Sequence, residues 1–195
     1  MKKFAALFFL FLSLFSGGAM VSAALAAGNR AITVKGDYND AFDNGSFPAM
    51  LADNLIVDSI ALHKAAHQML VFRKGILLKK YVVHLGENPV GPKQCSGDLK
   101  TPEGLYFINF KNHASKFHKS LGISYPNAND LQRAAKSGKA PGGDIMIHGL
   151  PNGEENAGPD RYTNDWTWGC IALRNDEIDE LFNHVEVGTP LMITP

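Results

Sequence analysis

Cysteine is scarce in this sequence: 195 residues carry only Cys95 and Cys170. Two cysteines build neither a disulfide-dense miniprotein nor an all-cysteine zinc site. A chain this long also needs no such staple to bury a full core. Net charge is missing too. The 19 Lys and Arg balance 19 Asp and Glu, which argues against a nucleic-acid binder, because phosphate recognition draws on a surplus of cations. Repeats and low-complexity segments are absent, and a 45% hydrophobic share rules out a disordered chain. The acids between Asp37 and Asp43 lack the alternating spacing of a calcium loop. His63 and His67 are four apart, but no Glu follows His63 as the zinc-protease H-E-x-x-H requires. They read as flanking a turn before a strand, and no metal is expected.

Long apolar runs are limited to one, at the N-terminus. Lys2 and Lys3 precede Phe4 to Phe15, a run broken only by Ser13, and Ser16-Gly17-Gly18 ends it. Val21-Ser22-Ala23 and Ala24-Leu25-Ala26 both read as cleavage sites. This is the pattern of a secretory signal peptide over residues 1–26. An uncleaved anchor would need ~20 apolar residues, and the absence of a Cys at the cleavage point argues against a lipoprotein. Cleavage removes two lysines from a balanced chain and leaves a net charge of −2. An exported protein with no later membrane contact is expected.

Residues 27–54 have weak periodicity and read as an arm or linker, with a domain following over 55–195. Ile56-Val57 is a short strand candidate. Gln68 to Arg73 and Ile76 to Leu85 are β-rich and separated by Lys74-Gly75, a hairpin signal. Further strands are expected over Gly104 to Phe110, Asp144 to His148, Cys170 to Leu173 and Leu191 to Thr194. A helix is expected over Asn127 to Ser137, between Pro126 and Gly138. A second runs to Asn183, capped by Asn175 or Asp176. Many short strands and few helices imply a mainly β domain, a β-rich α+β fold with short peripheral helices.

One constellation carries chemistry. His148-Gly149 ends an apolar strand, and Thr167-Trp168-Gly169-Cys170-Ile171 opens another. A thiol attacks only as thiolate, and a free pKa of ~8.5 leaves it mostly protonated at neutral pH. A neighbouring His can take that proton. Gly169 permits close backbone approach and leaves amides to face an oxyanion. The pattern alone fits a small buried core cysteine equally well.

These residues resemble the L,D-transpeptidase catalytic domain, also called the YkuD-like domain, of bacterial peptidoglycan enzymes. The family pattern is His-Gly, a spacer, then Ser/Thr-x-Gly-Cys-Ile/Val. The likeness extends to Gly91-Pro92-Lys93, Gly97-Asp98, Thr101 to Tyr106, Ser120 to Pro126 and Pro141 to Gly149. Asp165 to Ala172 resembles a branch reading Asp-Trp-Thr-x-Gly-Cys-Ile-Ala. The resemblance implies a periplasmic enzyme without cofactor. Cys170 would be its nucleophile and His148 its base and then acid. The Gly149 carbonyl would orient the imidazole, and amides at Gly169 and Cys170 would hold the oxyanion. Its partners would be peptidoglycan stem peptides. The carbonyl of the third stem residue, usually diaminopimelate, would be attacked and the terminal D-alanine expelled. Transfer to an amine is the family default. Some relatives of the branch hydrolyse stems or release a wall-bound lipoprotein.

Two departures from the family pattern stand out. The Arg that most members carry two residues after the Cys is here Ala172, with Arg174 a candidate substitute. The spacer between His148 and Cys170 is long, and Pro151 to Asn164 is polar and Gly-rich, which suits a flap. Lys93, His118, Trp168 and Arg174 are candidate substrate contacts. His113 shares the segment of His118, Lys93 and Asp98 read as shaping a loop, and Tyr125-Pro126 reads as a rigid turn. Cys95 would lie near the cleft, where a disulfide to Cys170 and a lone thiol both remain open. Two other functions compete. A papain-like peptidase would place its Cys before its His, the reverse of the order here, and the caspase signature is absent. A wall-binding module would not need both reactive residues.

Overall fold

The structure is a computed structural model, and it describes residues 50–154 and 163–195. The signal peptide, most of the arm and residues 155–162 of the spacer lie outside the described residues. Eight strands form one sheet: β1 (Ser59–His63), β2 (Gln68–Arg73), β3 (Ile76–Val82), β4 (Gly104–Ser115), β5 (His118–Ile123), β6 (Met146–His148), β7 (Ile171–Ala172) and β8 (Pro190–Thr194). Two helices accompany them, α1 (Ala128–Lys136) and α2 (Asn175–His184). The mainly β expectation holds. The strand order is β3-β2-β1-β8-β4-β5-β6-β7. The β1–β8 and β6–β7 pairs are parallel and the others antiparallel.

Period-two alternation builds the core. Ile60 and Leu62, Met69 and Val71, Tyr106 and Ile108, and Leu191 and Ile193 face one buried cluster, joined by Ile178, Leu181 and Phe182 of α2. The β2–β3 turn places Lys74 and Gly75 at φ 52° and 77°, the left-handed pair that joins twisted strands. Asn127 caps α1: its side chain accepts from the amides of Asn129 and Asp130, and the Asp130 carboxylate accepts from the Asn127 amide. Gly138 follows at φ 65° and ends the helix.

Several expected boundaries are corrected. Val57 forms only an isolated bridge, to Val185, and the first full strand is β1. β3 stops at Val82, and β4 runs on to Ser115. β5 carries no period-two signal. Its Gly122 leaves the space that the Phe110 ring fills, since a Cβ there would lie 2.1 Å from that ring. Asp144 takes φ 55° and stands outside the ladder, so β6 begins only at Met146. The α2 cap is Arg174, whose amide donates to Glu177 at 3.1 Å, because the Asn175 side chain accepts from the Leu150 amide instead. Part of the arm packs on the domain: Leu51 is buried and its amide donates to the buried Glu180. No helix among the described residues is long and apolar enough to cross a membrane.

Candidate active site

Parallel pairing of β6 with β7 closes the long spacer. Ile147 registers with Ile171 and His148 with Ala172. The Leu173 amide donates to the His148 carbonyl at 2.9 Å. Cys170, one residue before β7, therefore stands level with the start of β6. Its thiol donates to the Asp144 carbonyl at 3.5 Å. Cys170 and His148 line one cavity of about 300 Å³ together with Asn112, Ser115, Lys116, Phe117, Asp144 and Met146.

His148 is 3% exposed. Its Nδ1–H donates to the Gly149 carbonyl at 2.7 Å. A carbonyl only accepts, so the hydrogen sits on Nδ1 and the neutral ring keeps its lone pair on Nε2. Phe117 packs on the imidazole at 4.5 Å and Trp166 meets it edge-on at 5.7 Å. Burial pushes the His148 pKa down, against the smaller upward pull of the Gly149 carbonyl. Burial pushes the Cys170 thiol up, and the Asp144 charge adds to this, while the Met146 amide and Lys93 pull it down. Both shifts favour a neutral imidazole and a protonated thiol at neutral pH, in two side chains that line the same cavity. Gly149 has no room for a side chain, since a Cβ would meet Asn175 Oδ1 at 2.5 Å.

The Thr167–Cys170 turn is held from within. Thr167 Oγ1 donates to the Cys170 carbonyl at 2.8 Å and accepts from the Gly169 amide at 3.1 Å. The Gly169 amide is therefore engaged. Of the two amides expected to face an oxyanion, Cys170's is the one without a partner among the described residues. Gly169 takes φ 121°, and a Cβ there would lie 2.6 Å from the Lys100 carbonyl. On the other side of the turn, Asp165 accepts from the Leu85 amide at 2.7 Å and pairs with His67 Nε2 at 2.9 Å. That clasp seats Trp166 against the imidazole.

The loop from Gly91 to Thr101 is built around Asp98. Its carboxylate takes the Lys93 ammonium at 2.7 Å and the amides of Gln94, Cys95 and Lys100. Burial works to raise its pKa, but these donors outweigh burial and hold the carboxyl below the usual range. Lys64, 3% exposed, ties this loop down through the carbonyls of Gly91 and Thr101 and through Glu103.

The other candidates scatter. Lys93 has its ammonium on Asp98 and does not line the cavity. His118 turns to Asp179 on α2 at 2.8 Å, and His113 packs on Phe182. Arg174 pairs with Asp176 at 3.1 Å and is not among the residues lining the cavity. Ala172 itself is 1% exposed and bridged to His84. Trp168, beside the thiol in sequence, is 80% exposed. Tyr125 donates to the Pro141 carbonyl at 2.8 Å. Cys95 and Cys170 are both free thiols. His63 bonds Thr194 at 2.8 Å, and among the described residues no group of three or more His, Cys, Asp or Glu is arranged for a metal ion. Sequence reasoning passed over Phe117, Asp144, Lys116 and Trp166.

Comparison with known proteins bears on this geometry. An Escherichia coli (strain K12) protein named "Putative L,D-transpeptidase YafK" is 32% identical over 111 residues, 56% of this chain and 37% of that protein. The helical cell shape determining protein Pgp2 of Campylobacter jejuni aligns with a TM-score of 0.52 and 26% identity, covering 72% of this chain and 48% of that one. Bdellovibrio bacteriovorus Bd1075 shares the fold, with a TM-score of 0.50 and 23% identity over 76% of this chain and 51% of its own. This chain thus spans about half or less of the relatives it matches. Residues 56–193 match the family described as "YkuD: L,D-transpeptidase catalytic domain", and the match takes in both strands of the site. A sheet-rich domain that brings His148-Gly149 beside Thr167-Trp168-Gly169-Cys170, matched over most of its length, belongs to the L,D-transpeptidase catalytic domain family.

Proposed function

We propose that this chain is an exported, periplasmic L,D-transpeptidase of peptidoglycan biosynthesis and cell wall organisation, working through a thioester on Cys170. The observation that carries the reading is the His148 Nδ1–Gly149 carbonyl bond, which leaves Nε2 as a base in the cavity that also holds the thiol. His148 Nε2 takes the Cys170 proton as sulfur attacks the carbonyl of the third residue of a tetrapeptide stem. The Cys170 amide receives the oxyanion. The bond to the terminal D-alanine then breaks, and His148 returns its proton to the leaving amine. An acceptor amine attacks the thioester, loses a proton to His148 and restores the thiol. The Gly149 carbonyl steadies the imidazole, a task that falls to a carboxylate in serine proteases. The apolar surroundings from Phe117 and Met146 strengthen each of these contacts by keeping water out.

Water in place of the amine makes the same site an L,D-carboxypeptidase, or an amidase releasing wall-bound lipoprotein. The buried Ala172 and the outlying Arg174 favour this second reading, since both leave one expected stem contact unmade. Purified protein incubated with tetrapeptide muropeptides and with sacculi separates the outcomes. Crosslinked dimers are expected. Tripeptides alone identify the carboxypeptidase, and freed lipoprotein identifies the amidase. Cleavage confined to D,D bonds would overturn the assignment.

A further inference from the structure

His67 has no part in the steps above and does not line the cavity, yet it reaches the turn that carries Cys170. It lies in the turn between β1 and β2 with its backbone at φ 50°, a left-handed conformation that histidine adopts more readily than most residues. Its amide donates to the Lys64 carbonyl at 3.0 Å, and its carbonyl accepts from the Val83 amide at 2.9 Å. Further along that segment the Leu85 amide donates to Asp165 Oδ1 at 2.7 Å, and the Leu85 carbonyl accepts from the Thr167 amide at 3.0 Å. The His67 ring closes this circle of contacts. A carboxylate only accepts, so His67 Nε2–H donates to Asp165 Oδ2, at 2.9 Å. His67 and Asp165 are each anchored to the segment from Val83 to Leu85 and to one another. The residue after Asp165 is Trp166, whose indole meets the His148 imidazole edge-on with ring centres 5.7 Å apart.

A histidine side chain 40% exposed on a carboxylate 13% exposed adds little stability. Its larger effect is on position, because it fixes Asp165 and with it the indole that borders the base. The imidazole is held by one hydrogen bond, from Nδ1 to the Gly149 carbonyl. One such bond does not fix the plane of a ring. Phe117 against it at 4.5 Å and Trp166 at its edge supply the rest. We infer that His67 is a positioning residue for the reaction, holding Asp165 so that Trp166 keeps the His148 imidazole at the angle from which Nε2 serves Cys170. The inference rests on the reading of His148 as the base, and it is the same for transfer and for hydrolysis. A misplacement of ~1 Å can cost ~10²-fold in rate, so a contact remote from the thiol reaches kcat.

His67→Asn and His67→Gln separate this role from a structural one. Asn accepts the left-handed backbone, but its amide stops short of the Nε2 position. Gln accepts that backbone less readily, but carries its amide to where Nε2 stands. In His67→Asn, D-alanine release from a tetrapeptide stem is expected to fall about 10-fold in kcat with KM within about 2-fold of wild type, and His67→Gln to recover to within about 3-fold. Alkylation of Cys170 by iodoacetamide, located by mass spectrometry, should follow the same order. Trp166 is one of two tryptophans, so in a Trp168→Phe background its emission should shift with His67→Asn and not with His67→Gln. Trp166→Leu tests the route: in that protein, adding His67→Asn should cost under about 2-fold, whereas independent effects would multiply. His67→Asn at the wild-type kcat, His67→Gln no better than His67→Asn, or full multiplication of the two losses overturns the inference. So does a His67→Asn protein that fails to fold, since the contact would then hold the domain rather than the ring. Wild-type protein that turns over no stem removes the proposed function, and the alkylation rates still decide the role of His67.

Discussion

Removing the Thr167 hydroxyl tests how the turn that carries Cys170 is held. Thr167 is 4% exposed, and its Oγ1 serves two backbone groups at once, the Cys170 carbonyl and the Gly169 amide. Thr167→Val keeps the branched shape and leaves both groups without that partner. An unsatisfied buried polar group costs about 1–3 kcal/mol, and the Cys170 carbonyl is only partly buried, so about 2–4 kcal/mol in total is expected. In a chain of this size, ~1 kcal/mol moves Tm by ~2–4 °C, which gives a fall of about 5–15 °C. Thr167→Ser keeps the hydroxyl and loses one methyl, at about 1 kcal/mol. The Cys170 amide belongs to the same turn, so D-alanine release from stems should fall at least ~10-fold in the valine variant, given the sensitivity of rate to sub-ångström misplacement. Thermal unfolding by circular dichroism and a D-alanine assay read the two effects. A valine variant melting within ~2 °C of wild type, or a serine variant worse than valine, would show that the hydroxyl does not hold this turn.

Three further outcomes follow from the same contacts. Burial holds His148 below its ordinary 6.5, so the acid limb of kcat/KM should have its midpoint below pH 6.5; a midpoint at or above that value contradicts the buried neutral base. The linked stability has the same sign: the unfolded chain takes the proton first, so the His148 contribution is complete above pH 6.5 and is lost as pH falls toward the folded pKa. Gly149→Ala places a Cβ 2.5 Å from Asn175 Oδ1 and 3.1 Å from His118 Cβ, which should shift the carbonyl that orients His148. Acylation of Cys170 by stems is expected to slow by ~10²-fold, and an unchanged rate would show that the carbonyl does not orient the ring. Glu180→Ala removes the carboxylate on the buried face of α2 that accepts from Tyr81, Lys79 and the Leu51 amide, and urea unfolding should report a loss of about 3–5 kcal/mol; a loss under ~1 kcal/mol would mean that this buried contact is not a stabilising one.

Local signals decided what the sequence could reveal. The β2–β3 hairpin was readable because a two-residue turn and β-branched flanks agree within 15 positions, Gln68 to Val82. Helix α1 was readable because Asn127 and Gly138 punctuate it. That Cys170 and His148 come together was readable because their motifs sit beside apolar runs that pair directly as β6 and β7. What escaped depends on distant partners. His67 and Asp165 are 98 positions apart, and Leu85 and Asp165 are 80 apart. No pattern in a window of sequence joins them. β5 escaped because its Gly122 packs under a ring from another strand. The Gly169 amide was expected to face the oxyanion, and its engagement by Thr167 depends on a rotamer that composition does not encode.

The central claim is a covalent thioester on Cys170, and mass spectrometry of protein quenched during turnover of a tetrapeptide stem tests it most directly. A tripeptidyl adduct on the peptide containing Cys170 is expected, formed with release of D-alanine. The adduct should be absent in Cys170→Ala and form ~10² to 10⁴-fold more slowly in His148→Ala. D-alanine release by Cys170→Ala at the wild-type rate, or an adduct carried by any other residue, would contradict it.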